Sequence, residues 1–132
     1  MSVNRQVDYN TLHSGIMTKR EIIEVLGFSK RVIELLKTHR LKQEAFDTFK
    51  SVLAENPEMG DLIQGTGGVR KTRLRSASKG TSGGFRVCYY YHQVRTGVIY
   101  LITLYPKNEQ ADLTPDERKE LKDFVNIIKK RR

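Results

Sequence analysis

The chain is 132 residues long, carries a formal net charge of +9 and is 38% hydrophobic, which suits one domain with a small core. No run approaches the roughly 18 consecutive apolar residues of a membrane span, and the polar N-terminus lacks the apolar stretch of a signal peptide. Cys88 is the one cysteine, so an internal disulfide is excluded and a reducing, cytoplasmic setting is expected.

Residues 1–18 are polar and aperiodic. They are expected to be a disordered N-terminal extension, with a single domain over residues 19–132. Glu21 to Leu26 leans towards a strand. A helical pattern follows, with Val32, Ile33, Leu35 and Leu36 apolar. A second helix is predicted from about Leu41 to Glu55, because Leu41, Ala45, Phe46, Phe49, Val52 and Leu53 fall on one face. His39 sits in the link, and Asn56-Pro57 ends the second helix. Pro57 to Gly68 reads as a loop. Three strands are then predicted, over Val69–Arg75, Phe85–Val94 and Val98–Tyr105. The flexible segment SASKGTSGG separates the first two, and Arg95-Thr96-Gly97 turns the last hairpin. In the final helix Thr114 at the N-cap, Pro115 after it and Glu117 make a capping box. Leu121, Phe124, Val125 and Ile128 form its apolar face, and its cationic tail suits the C-terminal end of a helix dipole. The order β-α-α-β-β-β-α implies an α+β domain: an antiparallel sheet with a helical hairpin on one face and a C-terminal helix.

The placement of charge says more than its total. From Leu62 to Asn108 there is no Asp or Glu, yet Arg70, Lys71, Arg73, Arg75, Lys79, Arg86, Arg95 and Lys107 all lie there. The rest of the chain is almost neutral. One-signed clustering points to a polyanion, nucleic acid before a membrane surface; a generally basic soluble protein is the plainer account. Side chains alternate across a strand. Lys71, Arg73 and Arg75 therefore share one face of their strand, and Arg86, Cys88 and Tyr90 share one face of the next. Phe85, Val87, Tyr89 and Tyr91 point the other way, into the core. If these strands pair, Lys71, Arg73, Arg75 and Arg86 converge on one open surface, with Lys107 at its edge. The cations could simply solvate a free sheet face, but like charges opposite one another cost stability, and such a cost often marks a site.

Several chemistries are excluded. Neither GTGGVRK nor KGTSGG fits a phosphate-binding P-loop, and no Cys/His spacing makes a zinc site. His13, His39 and His92 are scattered, which disfavours a two-histidine nuclease; His92 reads as a turn residue and Cys88 as a space-filler. Glu109 and Asp112 are the only carboxylates near the basic face, too few for a two-metal nuclease. What remains is metal-free chemistry by cations. RNA brings its own nucleophile, the 2′-hydroxyl, and a well-aimed donor can stabilise the phosphorane by roughly 3–4 kcal/mol. Tyr90 or Tyr105 would stack on a base or move a proton.

The blocks Asn56–Lys71 (NPEMGDLIQGTGGVRK), Ser82–Tyr91 (SGGFRVCYYY) and Ile99–Thr114 (IYLITLYPKNEQADLT) resemble the HigB-type branch of the RelE toxin superfamily, over about Lys19 to Lys130. The resemblance implies a RelE-like fold and a toxin that cuts mRNA in the ribosomal A site without a cofactor. It also implies a cognate helix-turn-helix antitoxin, through which alone operator DNA would be bound. It places the family's basic strand positions on Lys71 and Arg73, its phosphate-stabilising arginine on Arg86, and its second functional cation on Lys107 or Asn108. Arg75, Lys79, Tyr90, Tyr105 and Asn108 would then contact RNA. Where some relatives carry a catalytic tyrosine this chain has Thr114, so the proton must move elsewhere, through Lys71 or Lys107, or electrostatics and the ribosome must do more. Two other readings use the same surface: a non-catalytic RNA- or ribosome-binding translation inhibitor, and a regulatory module that only binds an antitoxin.

Overall fold

A computed structural model of the protein describes residues 3–6, 20–75, 84–94, 97–108 and 112–131. In chain order the elements are β1 (Val3–Gln6), β2 (Glu21–Val25), α1 (Leu26–Lys37), α2 (Gln43–Glu55), β3 (Asp61–Leu62), β4 (Val69–Arg75), β5 (Gly84–His92), β6 (Val98–Pro106) and α3 (Pro115–Arg131). They form an α+β fold around one sheet, ordered β1-β2-β6-β5-β4-β3. No helix among the described residues is long and apolar enough to cross a membrane.

The expected antiparallel sheet is found with one exception: β2 runs parallel to β6, with Glu21 opposite Val98 and Glu24 opposite Leu101. Parallel neighbours need a long crossover, and here the helical hairpin plus three strands supply it. Two short strands were not anticipated. Val3–Gln6 pairs antiparallel with β2, inside the stretch expected to be disordered; residues 1–2 and 7–18 of that stretch lie outside the described residues. Asp61–Leu62, read as loop, pairs with Lys71 and Arg70. Leu26 begins α1 instead of ending the strand, and the second helix starts at Gln43.

The hairpin is held by apolar burial. Phe28, Val32 and Leu35 of α1 and Phe46, Phe49 and Leu53 of α2 are buried, and the Phe28 and Phe46 rings lie 6.1 Å apart. Each such side chain contributes about 1.5–3 kcal/mol. Against them stand Phe85, Val87 and Tyr89, all buried as expected, with Tyr91 half-buried. The Tyr89 hydroxyl donates to Pro57 O and accepts the Gly60 N–H, both at 2.9 Å, which pins the chain leaving α2 beneath β4. Gly60 has no room for a side chain: a Cβ there would lie 2.7 Å from Lys71 O. Glu24 is also buried; it accepts the Ser29 hydroxyl at 2.7 Å and lies 3.9 Å from Lys50 Nζ, as a buried charge requires.

Among the described residues the ladder between β5 and β6 contains a bulge. Cys88 is opposite Thr103 but Tyr89 is opposite Leu101, so Ile102 is the extra residue on β6. Its effect is to re-aim the strand. Leu101 faces the hairpin beside Tyr89, while Tyr105 faces the other side beside Arg86.

Candidate nucleic-acid interface

The turn before β4 sets where its cations stand. The buried Thr66 hydroxyl donates to Ile63 O at 2.7 Å and accepts the Val69 N–H at 3.1 Å. The Ile63 N–H donates back to Val69 O at 2.8 Å. Gly68, at φ 125°, packs under Tyr90, where an added Cβ would meet the ring at 3.2 Å. From Val69 onward the register with β5 is unbroken: Lys71 opposite Cys88, Arg73 opposite Arg86, Arg75 opposite Gly84. Lys71, Arg73, Arg75 and Arg86 therefore share one face. Tyr105 joins it, opposite Arg86 on β6. Lys107 and Asn108 follow, exposed, with the Lys107 N–H donating to Gly84 O at 3.0 Å.

Exposure divides these residues. Arg73 and Arg75 are exposed; Lys71 and Arg86 are half-buried. Among the described residues no carboxylate pairs with Arg73, Arg75 or Arg86. Arg70, on the opposite parity, is drawn away: its guanidinium donates to Gly60 O at 2.7 Å and Glu58 O at 3.2 Å. Lys79 and Arg95 lie outside the described residues.

The face is not open along its whole length. Parity puts Cys88 and Tyr90 on the face of Arg86, and Tyr90 and Tyr105 were expected to contact RNA, but Cys88, Tyr90 and Tyr105 are 0%, 7% and 8% exposed. The C-terminal helix covers this end of the face. Phe124 meets Tyr100, the cross-strand partner of Tyr90, edge-on at 5.9 Å, and Lys129 Nζ donates to Gly67 O at 3.2 Å. Tyr90 is further held in contact with the His92 ring, 5.7 Å between centroids. Burial removes both tyrosines as platforms for stacking a base. The Tyr105 hydroxyl is buried with no hydrogen-bond partner among the described residues.

At the rim, acids from outside the basic window reach in. Asp112 Oδ1 lies 3.8 Å from Lys71 Nζ, and Asp112 Oδ2 accepts from Arg118 Nη2 at 3.2 Å. The Leu113 N–H, then Lys71 and Arg118, hold the Asp112 carboxyl below its ordinary range. Glu117 completes the predicted capping box: its Oε1 accepts the Thr114 N–H at 2.8 Å, and its own N–H donates to Thr114 Oγ1 at 3.1 Å. Its charge also reaches the face, where it opposes ionisation of Cys88 and Tyr105. That second reach of Glu117 was not readable from the sequence; its cap position was the one available signal. Burial, countered in part by Lys71, pushes the Cys88 thiol up to about 12, so this cysteine fills space. Burial likewise raises Tyr105 and Tyr90. Among the described residues no three His, Cys, Asp or Glu side chains are grouped so as to hold a metal ion.

The arrangement can hold a phosphodiester against guanidinium and ammonium groups on a rigid, hydrogen-bonded ladder. Residues 35–132 match a family model described as the RelE toxin of the RelE / RelB toxin-antitoxin system. The matched span contains α2, α3, strands β3 to β6 and every candidate residue on the basic face.

Proposed function

The chain belongs to the RelE toxin family, and on that premise we propose that it arrests translation as a ribosome-dependent mRNA endonuclease. The observation that carries the reading is the pairing of Arg73 with Arg86 on one face, flanked by Lys71 and Lys107. In the proposed reaction the ribose 2′-oxygen attacks the adjacent phosphorus and loses its proton. The bond from phosphorus to the 5′-oxygen breaks, and that oxygen takes up a proton. The products are a cyclic phosphate and a free 5′-hydroxyl, with no change of oxidation state. Arg86 and Arg73 stabilise the charge that builds on the phosphorane. Lys71 or Lys107 carries the proton, since Tyr90 and Tyr105 are buried and Thr114 is committed to its cap. Arg75, Asn108 and Lys79 hold the flanking RNA. No metal ion takes part in this scheme.

The family match carries an antitoxin partner with it. A helix-turn-helix antitoxin, the ribosomal A site with its mRNA, and a cytoplasmic location belong to the proposal, and the HigB-like branch rests on the sequence blocks alone. A binding-only translation inhibitor is the second reading, favoured by the burial of both tyrosines on the face. Mapping of mRNA 5′ ends after induction separates the two. Cleavage creates new ends within translated messages that vanish with Arg86→Ala. Growth arrest without new ends supports the binding-only reading and overturns the nuclease.

A further inference from the structure

We infer that Asp112 is the positioning residue for Lys71, and that Lys71 so held gives the departing 5′-oxygen its proton. The inference rests on the nuclease reading and narrows it, since that reading leaves the proton to Lys71 or Lys107. The cations of the basic face do not share one environment. Among the described residues no carboxylate pairs with Arg73, Arg75, Arg86 or Lys107, whereas Asp112 Oδ1 lies 3.8 Å from Lys71 Nζ. The other groups around Lys71 are Asp61, its partner across the β3 ladder, Cys88, its partner on β5, and Arg73 on its own strand. Burial keeps the Cys88 thiol neutral. From α3 come Arg118, bonded to Asp112, and Glu117, whose charge acts on Cys88. Of the acids among these described residues, Asp112 is the one whose carboxylate reaches the ammonium.

That difference separates the roles. A carboxylate beside a phosphate-holding cation competes with the phosphate, so the arginines without one suit the RNA backbone. A proton donor has another need. Its ammonium must stand at one place, and a lysine stem is flexible. The ammonium has three donors and no acceptor, so it can serve the 5′-oxygen but cannot take the proton of the 2′-hydroxyl. Asp112 can hold it because Asp112 is itself held. Its Oδ1 accepts the Leu113 N–H at 2.8 Å, and its Oδ2 accepts from Arg118 Nη2 at 3.2 Å. Both bonds favour the ionised carboxylate, as does Lys71. At 3.8 Å the pair attracts through charge without closing a hydrogen bond, which leaves the N–H groups of Lys71 to the substrate. Lys107 is exposed and has no such anchor among the described residues. In the step itself, the electron pair of the bond from phosphorus to the 5′-oxygen goes to that oxygen, which takes a proton from Lys71 Nζ. The amine left behind regains a proton from water, and the 2′-hydroxyl proton passes to water.

The test uses the full chain on programmed ribosomes with two mRNAs. One is ordinary; the other carries sulfur in place of the bridging 5′-oxygen at the scissile bond. A thiolate leaves without being protonated, so loss of the proton donor should be masked on the sulfur substrate alone. On the ordinary mRNA, Asp112→Asn should lower kcat about tenfold and Lys71→Ala about 100-fold, each with KM within about twofold of wild type. On the sulfur substrate both should cut within about threefold of wild type, while Arg86→Ala stays slow on both. Lys71→Ala with Asp112→Asn should be no slower than Lys71→Ala alone, because Asp112 acts through Lys71. Asp112→Glu, which keeps the charge, should recover part of the loss. The asparagine carbonyl can still accept the Leu113 N–H, and Arg118→Gln, which loosens Asp112 without removing it, gives a second and milder loss of kcat if Asp112→Asn misfolds. Equal slowing of Asp112→Asn on both substrates would overturn the inference. So would additive losses in the double variant, or a Lys107→Ala variant that sulfur restores while Lys71→Ala stays slow. Tighter RNA binding by Asp112→Asn at unchanged kcat would also overturn it, making Asp112 a competitor of phosphate. Wild type that cuts neither mRNA overturns the nuclease reading; wild type that cuts both, with Asp112→Asn unimpaired, overturns the Asp112 assignment alone.

Discussion

Arg73 and Arg86 stand directly opposite each other across the β4–β5 ladder, with no carboxylate of the described residues paired to either. Such opposition works against folding. Arg73→Ala is therefore expected to melt at the same temperature as wild type or slightly higher. Cleavage of mRNA on programmed ribosomes should meanwhile fall on the order of 100-fold or more, as when one transition-state donor is lost. A variant that cleaves normally would remove this pair from the site.

Contacts to phosphate carry a salt signature, each adding about 0.7 to the slope of log affinity against log salt for single strands. Arg86→Gln should lower that slope by about 0.7. Arg70→Gln should leave it unchanged, because Arg70 is engaged with the carbonyls of Glu58 and Gly60. Fluorescence anisotropy of a labelled RNA at several salt concentrations reads both slopes.

The capping box at the start of α3 is structural. Thr114→Ala removes the acceptor of the Glu117 N–H and should cost about 1 kcal/mol. Thr114→Ser should restore most of that loss. Urea unfolding gives both values. If Thr114 instead moved the proton, Thr114→Ala would abolish cleavage at unchanged stability.

Alkaline pH should destabilise the protein. The folded Cys88 thiol is raised from 9.0 to about 12 by burial, and burial also raises Tyr89, Tyr90 and Tyr105 above 10.0. The folded state thus keeps protons that the unfolded chain releases. Stability is full below about pH 9 and declines as pH rises towards about 12. Denaturation midpoints against pH test this, and Cys88→Ala should delay the onset of the decline. A folded chain whose thiol reacts with alkylating reagents at neutral pH as fast as the unfolded one would contradict it.

Local signals in the sequence carried far in this chain. The Val69–Arg75 strand is found with the predicted bounds, and the Thr114–Glu117 cap follows from residue types at fixed spacing. The convergence of Lys71, Arg73, Arg75 and Arg86 follows from strand parity alone once β4 and β5 pair. The failures share a cause: each depends on what packs over an element. Parity put Tyr90 and Cys88 beside Arg86, but it carries no information about α3 closing over them. A bulge at Ile102 leaves no composition mark, so the side to which Tyr105 points was hidden. The Asp61–Leu62 strand is too short for periodicity, and the parallel seating of β2 is a property of the whole fold.

That parallel seating has a consequence in time. β2 is made early, but its partner Val98–Leu101 is made near the end of the chain. At about 5–20 residues per second of synthesis, roughly 4–15 s separate the two. The hairpin of α1 and α2 can form locally in that interval, whereas the sheet closes only after β6 has emerged, at the cost of a long loop. A ribosome making this toxin therefore holds an unfinished sheet for most of the time it spends translating the message, and a chain cut short before Val98 leaves β2 with no β6 to pair with.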